Sequence, residues 1–470
     1  MRESESMRAT VCTLGCKVSH YESRAIEEYL LQHGVVLVPF GTQTQVFVIN
    51  TCTVTAESDR KCRQMIRRAH TTAPNACIIV TGCYAQTSPD EVQKIPGVHY
   101  IFGSRDKMQA AKTALQVLQQ RECNDLLSGD SHSSEVKAET KVSASHGKDI
   151  LSSTPVCAVS DVKNHQMEPM CVLGSDRTRA YVKIEDGCEN KCSYCAIPAA
   201  RGYVCSKSID AVVREVEQLV RRGYREVVLT GIEVASWGND LDGNVNLTDL
   251  LQAVDQIEGV ERIRLGSIEP TFFRPARIAK LGALSHLTPH FHLSVQSGSA
   301  GVLGRMRRKY TPQMVLDRME QLRREIPDVM FTTDMMAGFP GETETELQET
   351  LDFLRRARFL KVHVFPFSVR KHTLAETLPG QLTHQVRASH AAVTQQCANL
   401  VRDELLDALI LEQKQYPVLF EQRKDGHSMG HTPNDLLVCV RDDVPHGEIR
   451  VVRFTRHVGE MLYGEICDGI

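Results

Sequence analysis

Residues 187–195 read GCENKCSYC and place three cysteines, Cys188, Cys192 and Cys195, in the spacing C-x3-C-x2-C. An apolar run at residues 180–184 precedes them, so the stretch is predicted to be the loop at the end of a buried strand. Three thiolates in such a loop can bind one corner of a cubane iron–sulfur cluster and leave its fourth iron open. A zinc knuckle is the alternative, although structural zinc sites normally have four ligands, and the next cysteine, Cys205, lies ten residues on.

Strand and helix patterns alternate on the C-terminal side of this loop. Amphipathic helices are predicted between the strands, for example at residues 210–222 and 312–324. The predicted strands span residues 180–184, 226–229, 262–265, 291–295, 330–334 and 361–364. Six consecutive βα units predict a partial barrel, open on one side, whose site lies on the loops at the C-terminal ends of the strands.

The N-terminal part of the chain has a similar but shorter alternation. Apolar runs at residues 9–12, 46–49 and 77–81 are typical of buried parallel strands, and helical patterns follow each of them. Residues 121–175 are rich in Ser, His, Lys and Asp without periodicity, which indicates a disordered linker or insertion. Short alternating runs at residues 417–421, 435–441, 449–455 and 460–467 predict a small antiparallel β-barrel.

These patterns predict an α/β protein with four segments. They are a small parallel α/β domain (residues 7–120), the linker (121–175), the partial (βα)6 barrel (176–403) and the C-terminal barrel (404–470).

The composition is that of a cytoplasmic protein rather than a secreted or membrane protein. The 470 residues are 42% hydrophobic and 24% charged, and no run of about 18 apolar residues is present to cross a membrane. The polar N-terminus lacks the apolar stretch of a signal peptide. Sixteen cysteines in a reducing compartment indicate metal binding or catalysis rather than disulfides. The net charge of −3 requires any nucleic-acid contact to use local basic patches.

A second set of cysteines, Cys16, Cys52 and Cys83, occurs in the motifs LGC, NTC and TGC. Each follows the end of a predicted parallel strand, where ligands of open α/β sheets gather. The three thiols could hold a second cluster, again with one open iron. Burial as small hydrophobic residues is the alternative, and it is the interpretation we favour for the other N-terminal cysteines of the domain, at positions 12, 62 and 77.

Further motifs lie at the ends of the barrel strands in the expected order. They are residues 229–233 (LTGIE), 267–270 (SIEP), 294–299 (SVQSGS) and 333–343 (TDMMAGFPGET). Together with the cysteine loop and residues 196–202 (AIPAARG), they make the chain resemble the radical S-adenosylmethionine (SAM) methylthiotransferases. The resemblance covers residues 7–120 and 176–467.

The resemblance implies two 4Fe–4S clusters and two molecules of SAM per turnover. Cys188, Cys192 and Cys195 would bind the cluster that cleaves one SAM to a radical, and the second SAM would donate the methyl group. Cys16, Cys52 and Cys83 would bind an auxiliary cluster that carries the sulfur. The implied SAM contacts are Tyr194, Gly231, Glu233, Ser267, Gln296 and Gly338. No side chain is predicted to act as a general acid or base, because the cofactors carry the chemistry.

Residues 13–18 (TLGCKV), 50–55 (NTCTVT) and 305–311 (RMRRKYT) resemble the branch that acts on N6-threonylcarbamoyladenosine at tRNA position 37. Ser19 departs from this branch, which usually has Asn there. The alternatives are the branches that modify isopentenyladenosine in tRNA or an aspartate of a ribosomal protein. The implied partners are the tRNA anticodon stem-loop and an electron donor such as flavodoxin or ferredoxin, with no role for DNA or a membrane.

Electrostatics alone do not identify the substrate. The C-terminal barrel resembles the RNA-binding TRAM domain, yet residues 404–470 contain 7 Lys and Arg against 12 Asp and Glu. Basic residues at 305–309 and along a helix at 60–68 are candidate RNA contacts, and a solvated charged face is the alternative. Two other classes stay open: a zinc-stabilised RNA-binding protein, and a radical SAM methylase without the sulfur cluster.

Overall fold

The computed structural model describes residues 6–129, 155–164, 166–174 and 178–467. The chain divides into two compact units. The first unit comprises Met1–Val172 and Ala196–Tyr203, and the second comprises Leu173–Cys195 and Val204–Ile470.

The first unit contains a six-stranded sheet in which all neighbouring strands are parallel. Its strands, which lie in the order β2-β1-β3-β4-β5-β6, are β1 (Arg8–Thr13), β2 (Val36–Leu37), β3 (Val46–Thr51), β4 (Cys77–Gly82), β5 (Val98–Phe102) and β6 (Val156–Ala158). Its helices are α1 (Lys17–Gln32), α2 (Ala56–Thr72), α3 (Cys83–Thr87), α4 (Pro89–Gln93), α5 (Lys107–Gly129) and α6 (Ile197–Arg201). Every residue of β3 and β4 is buried, because helices cover both faces of the sheet.

The predicted linker, residues 121–175, contains regular structure in two places. Helix α5 continues through residues 121–129, and β6 pairs in parallel with β5. Part of the segment also packs against the first unit, since the Tyr21 hydroxyl donates to the carbonyl of Met170 at 3.1 Å. Residues 130–154, 165 and 175–177 lie outside the described residues, and so does that part of the prediction.

The second unit begins with a partial barrel built from two three-stranded parallel sheets, in the orders β11-β10-β7 and β12-β13-β14. Its strands are β7 (Arg179–Lys183), β8 (Glu185–Asp186), β9 (Cys205–Ser206), β10 (Glu226–Thr230), β11 (Arg262–Leu265), β12 (His290–Gln296), β13 (Met330–Ala337) and β14 (Lys361–Pro366). Its helices are α7 (Ile209–Arg221), α8 (Leu247–Asp255), α9 (Pro275–Gly282), α10 (Ala300–Arg305), α11 (Pro312–Glu325) and α12 (Glu344–Ala357). Isolated parallel bridges, such as Ile268 with Leu293, connect the two sheets. The six predicted barrel strands are all present.

Helix α13 (His384–Leu411) leads from this barrel into a closed five-stranded one in the order β15-β16-β17-β19-β18. Its strands are β15 (Gln415–Lys424), β16 (His427–His431), β17 (Leu437–Val440), β18 (Ile449–Val458) and β19 (Met461–Ile466). The end of α13 contributes Leu405, Leu406 and Leu409 to the core of this C-terminal barrel. The sequence predicted four of its strands and missed β16, and one pair, β17 with β19, is parallel rather than antiparallel.

Candidate functional site

The cysteines of the second set lie at one edge of the sheet of the first unit. Cys16, Cys52 and Cys83 follow β1, β3 and β4, which are adjacent strands. Cys16 is exposed, whereas Cys52 and Cys83 are buried. Because parallel strands end at the same edge, three motifs that are far apart in sequence come together here.

The residues that precede these cysteines explain the motifs. The Asn50 side chain donates to the carbonyl of Ser19 at 3.0 Å and ties β3 to α1. The Thr51 hydroxyl donates to the carbonyl of Thr81 at 2.6 Å and ties β3 to β4. Gly82 has a φ of +105°, and a Cβ at this position would lie 2.4 Å from the carbonyl oxygen of Thr51. Only glycine fits this approach, which brings Cys83 beside Cys52.

The charges at this edge suit a cluster of thiolates. Burial, followed by the neighbouring Cys83 and Cys16, raises the pKa of Cys52 to about 11, so positive charge or metal is needed to hold these thiols deprotonated. Among the described residues, no three His, Cys, Asp or Glu side chains are grouped to hold a single metal ion. In a cubane, however, each thiolate binds a different iron, and the three cysteines of this edge fit that donor set.

Buried charged side chains adjoin Cys83, and the sequence analysis did not identify them. Arg201 Nε donates to Cys83 Sγ at 3.1 Å, and the Arg201 guanidinium pairs with the carboxylate of Glu22. Lys107 Nζ lies 3.3 Å from Glu22 Oε2. All three charged side chains are fully buried. Arg201 belongs to the ARG motif that was noted only as part of the family resemblance.

Cys62, predicted to pack in the core, is completely buried among apolar side chains of the first unit. Its sulfur lies 3.4 Å from both the backbone nitrogen and the carbonyl oxygen of Cys52. Cys12 and Cys77 are likewise buried in the cores on the two faces of the sheet.

The loop with Cys188, Cys192 and Cys195 follows β8 in the second unit, and Ser193 anchors it. The Ser193 hydroxyl donates to the carbonyl of Arg305 at 2.8 Å, and its backbone N–H donates to that of Met306 at 3.1 Å. The three cysteines are partly exposed, and burial raises the pKa of Cys188. A loop fixed at its centre with thiols on either side fits a cluster that exposes one iron.

Arg308 supplies the positive charge at this loop. Its Nη1 donates to Cys192 Sγ at 3.2 Å, and its Nη2 donates to the carbonyl of Ser294 at 2.5 Å. The Tyr310 hydroxyl accepts from Arg308 Nε at 2.7 Å and donates to Ser294 as well. The guanidinium is therefore fixed between the cysteine loop and the end of β12.

The predicted SAM contacts lie in the cysteine loop and at the C-terminal ends of four neighbouring barrel strands. Tyr194 lies in the loop, and its ring is perpendicular to Phe339, with centroids 6.3 Å apart. Gly231 and Glu233 follow β10, Ser267 follows β11, Gln296 ends β12, and Gly338 follows β13. The structure brings these residues to one edge of the partial barrel, and their contact with SAM stays a prediction.

Two buried carboxyl groups stand beside these residues. Glu185 Oε2 accepts from the backbone N–H groups of Ile232 and Glu233, both at 2.8 Å, whereas its buried Oε1 has no hydrogen-bond partner within the described parts of the chain. A Cβ on Gly231 would lie 2.5 Å from Glu185 Oε2, so this strand end requires glycine. Burial, followed by the charge of Glu269, raises the pKa of Glu233 to about 7. The buried Glu185 Oε1, which lacks a partner within the described residues, is consistent with a polar ligand such as SAM at this edge.

The turn at Gly338–Thr343 is held from two sides. Glu342 Oε2 accepts from the Gly338 backbone N–H at 2.6 Å and pairs with His390 Nδ1 of α13 at 2.8 Å. From the other side, the guanidinium of Arg305 donates to the carbonyls of Pro340 and Gly341 at 3.1 and 3.2 Å.

The basic run at residues 305–309 was predicted as a candidate RNA contact. These contacts show that two of its arginines are engaged within the protein instead. Arg305 pairs with Glu346 at 2.7 Å and Arg308 contacts Cys192, so both face inward. Lys309 is exposed, and its Nζ donates to Asn190 Oδ1 at 3.3 Å. Only part of the run is presented to solvent.

Two family models match different parts of the chain. A family model described as the Radical SAM superfamily matches residues 182–354. A second model, described as uncharacterized protein family UPF0004, matches residues 8–103. The two matches contain the two cysteine sets separately.

Curated relatives match most of the chain. The threonylcarbamoyladenosine tRNA methylthiotransferase MtaB of Bacillus subtilis is 36% identical over 91% of this chain and 89% of its own. The protein of the same name from Thermotoga maritima is 34% identical over 78% and 76%. The tRNA-2-methylthio-N6-dimethylallyladenosine synthase of Moorella thermoacetica is 30% identical over 98% of both chains.

A solved structure confirms the fold class. The radical SAM methyltransferase TsrM from Kitasatospora setae, with cobalamin and a [4Fe-4S] cluster bound, aligns with a TM-score of 0.52 at 13% identity, over 79% of this chain and 77% of its own. None of the helices in the described ranges is long and apolar enough to cross a membrane. The chain belongs to the radical SAM methylthiotransferase family, and it is an enzyme that uses SAM and a 4Fe–4S cluster.

Proposed function

We propose that this enzyme converts N6-threonylcarbamoyladenosine at position 37 of tRNA to its 2-methylthio derivative. The observation that carries the proposal is the meeting of Cys16, Cys52 and Cys83 at one sheet edge, in a unit separate from the radical SAM cysteines. Relatives named for this nucleoside, with 31–36% identity, support the choice of substrate. A methylase without sulfur transfer has no need for the second cysteine set.

The proposal assigns two 4Fe–4S clusters, one to each cysteine set, and two molecules of SAM per turnover. When bound, these groups supply the one-electron chemistry, the sulfur and the methyl group. The protein binds and orients them. Arg201 and Arg308 place a positive charge against one thiol of each set, and Tyr194, Gly231, Glu233, Ser267, Gln296 and Gly338 line the strand ends where SAM would bind.

The C-terminal barrel is the proposed contact for the anticodon stem-loop, despite its acidic composition. Arg450, Arg453 and Arg456 are exposed along β18, and the Arg456 guanidinium lies 3.8 Å from the centre of the Tyr463 ring. Arg450 and Arg453 also pair with Glu448 and Glu465, whereas the Arg456 guanidinium over the Tyr463 ring suits a phosphate beside an unstacked base. We further propose a cytoplasmic enzyme that receives electrons from a flavodoxin or ferredoxin.

Counting iron and sulfide in anaerobically purified protein tests the two-cluster assignment. We expect about eight irons per chain in the wild type and about four in a Cys16/Cys52/Cys83→Ala variant. A matched control replaces Cys123, Cys157 and Cys171, three exposed cysteines, and should keep about eight. About four irons in both the wild type and the triple variant would overturn the assignment, and zinc in place of iron would overturn the enzyme mechanism.

Mass spectrometry of tRNA nucleosides tests the substrate. A host strain lacking its own enzyme should regain 2-methylthio-N6-threonylcarbamoyladenosine when the wild-type chain is expressed, but not with the Cys16/Cys52/Cys83→Ala variant. Recovery of the 2-methylthio derivative of isopentenyladenosine instead would assign the chain to that alternative branch.

A further inference from the structure

Buried charged side chains lie beside Cys83. Arg201 and Lys107 carry two positive charges and Glu22 carries one negative charge, all at fully buried positions. The Cys83 sulfur lies 3.1 Å from Arg201 Nε, so the guanidinium is placed to donate a charge-assisted hydrogen bond to a thiolate there.

The contacts among Glu22, Arg201 and Lys107 fix the orientation of the Arg201 guanidinium. Glu22 on α1 accepts from Arg201 Nη2 at 3.1 Å, which holds the guanidinium so that its Nε faces Cys83. Lys107 Nζ donates to the carbonyl of Ser104 at 2.8 Å and lies 3.3 Å from Glu22. Arg201 therefore cannot leave Cys83 without breaking a buried ion pair.

We propose that Arg201 is a positioning residue of the auxiliary cluster, which orients the Cys83 thiolate and raises the reduction potential of the cluster. Reduction adds an electron to an already anionic group of three thiolates, and a nearby buried cation stabilises the added charge. Hydrogen bonds to the sulfurs and net charge are known determinants of such potentials. Lys107 should also raise the reduction potential of the cluster, whereas Glu22 should lower it. The inference rests on the proposed second cluster at Cys16, Cys52 and Cys83.

The test uses the full-length chain with Cys188, Cys192 and Cys195 replaced by alanine, so that any cluster present is the auxiliary one. Its midpoint potential is measured by redox titration followed by electron paramagnetic resonance. Arg201→Gln should lower the ratio of reduced to oxidised cluster at a fixed potential about tenfold, equivalent to a midpoint about 59 mV lower for one electron. Arg201→Lys keeps the charge and should show a smaller shift.

Glu22→Gln and Lys107→Met test whether the shift of the midpoint potential follows the sign of the charge that is removed. Removing the negative charge of Glu22 should raise the midpoint, whereas removing the positive charge of Lys107 should lower it. A structural defect alone has no reason to move the potential in opposite directions. If Arg201→Gln fails to retain iron, these two variants decide, and unchanged midpoints in both overturn the proposal.

Arg105 offers a matched control. It donates to the carbonyl of Tyr203 at 2.5 Å and to that of Asn164 at 2.5 Å, so it secures the same segment as Arg201 without touching a cysteine. Arg105→Gln should leave the midpoint unchanged. Four irons and an unaltered midpoint in Arg201→Gln would refute the role of Arg201 while the second cluster stands. No iron in the starting chain would refute the second cluster itself.

Discussion

At the scale of single residues, the Glu342 carboxylate holds the Gly338 turn to α13. Its Oε2 accepts from the Gly338 N–H at 2.6 Å and pairs with His390 at 2.8 Å. Loss of one partner from a buried carboxylate costs about 1–3 kcal/mol. We predict that His390→Ala weakens SAM binding about tenfold, which corresponds to about 1.4 kcal/mol, with the iron content unchanged. Equilibrium dialysis with labelled SAM measures the effect.

His384 serves as the control for this prediction, because it lies on the same helix but is exposed. His384→Ala should bind SAM as the wild type does. Equal SAM affinity in the His390 and His384 variants would show that the turn does not depend on Glu342 and His390.

The sequence predicts both sets of cysteines as cluster ligands, but it did not predict the arginines that contact them. A C-x3-C-x2-C spacing places its thiols within one loop, so local reasoning is sufficient. Arg201 and Cys83 are 118 residues apart, and Arg308 and Cys192 are 116 apart. Pairings over such separations follow from the packing of strands and helices, which no local pattern encodes. The stretches ARG (residues 200–202) and RRKY (residues 307–310) contain these arginines but do not indicate their partners.

At the scale of elements, the start of α12 combines helix capping with support of the same turn. The Thr343 hydroxyl accepts from the Glu346 N–H, and Glu346 Oε2 accepts from that of Thr343, at 3.2 and 3.0 Å. Glu346 also binds Arg305. We predict that Thr343→Ala lowers the free energy of unfolding by about 1 kcal/mol, and that Glu346→Ala costs more because it also leaves Arg305 without its carboxylate. Urea denaturation measures both losses.

Helix α8 provides the comparison, because Asn246 and Asp249 form an equivalent capping box. Asn246→Ala should cost a similar free energy of unfolding but leave SAM affinity unchanged, whereas Thr343→Ala should weaken it. The same SAM affinity in both variants would contradict the link between α12 and the turn.

Most elements with long apolar runs were predicted, whereas the shortest strands and the five-residue β5 (VHYIF) were missed. The six barrel strands and β1, β3 and β4 carry runs of apolar residues that read as buried strands. Strands β2 and β8 have only two residues each, and β6 has three exposed ones. Strands this short contain no long apolar run, and the two buried residues of β8 are acidic, so composition gives no strand signal. Strand β16 was missed for a related reason, since its sequence HSMGH lacks the alternation of a half-buried strand.

At the scale of the whole molecule, an ion cluster joins the partial barrel of the second unit to its C-terminal barrel. Glu226 is completely buried, 2.7 Å from Arg264 and 3.6 Å from Arg262. Arg264 also lies 3.3 Å from Asp435, and Arg262 donates to the carbonyl of Pro417 at 3.1 Å. These groups connect strands β10 and β11 with the segments around β15 and β17.

This ion cluster should make the free energy of unfolding fall as the pH becomes acidic. Burial alone would raise the pKa of Glu226, but Arg264, Arg179 and Arg262 outweigh it and hold the pKa below its usual 4.5. The pKa of Asp435 is held below its usual 3.8 in the same way, with His290 as the main cause. Because the folded values are depressed, the stabilisation is complete above the unfolded values and is lost as the pH falls through the folded ones.

Replacing Glu226 by Gln should therefore cost about 3–5 kcal/mol at neutral pH, since it leaves buried arginines without their carboxylate. The difference from the wild type should shrink as the pH falls below 4.5, the usual pKa of a glutamate, because the unfolded wild type then takes up a proton at Glu226, and it should vanish once the pH passes the lower folded pKa. Chemical denaturation of the cluster-free chain between pH 7 and pH 3 measures this without interference from acid loss of iron. Glu261, in an exposed pair with Arg225, is the control, and Glu261→Gln should change stability by less than about 1 kcal/mol at any pH. A penalty for Glu226→Gln that stays constant with pH would mean that its charge is not what joins the two barrels.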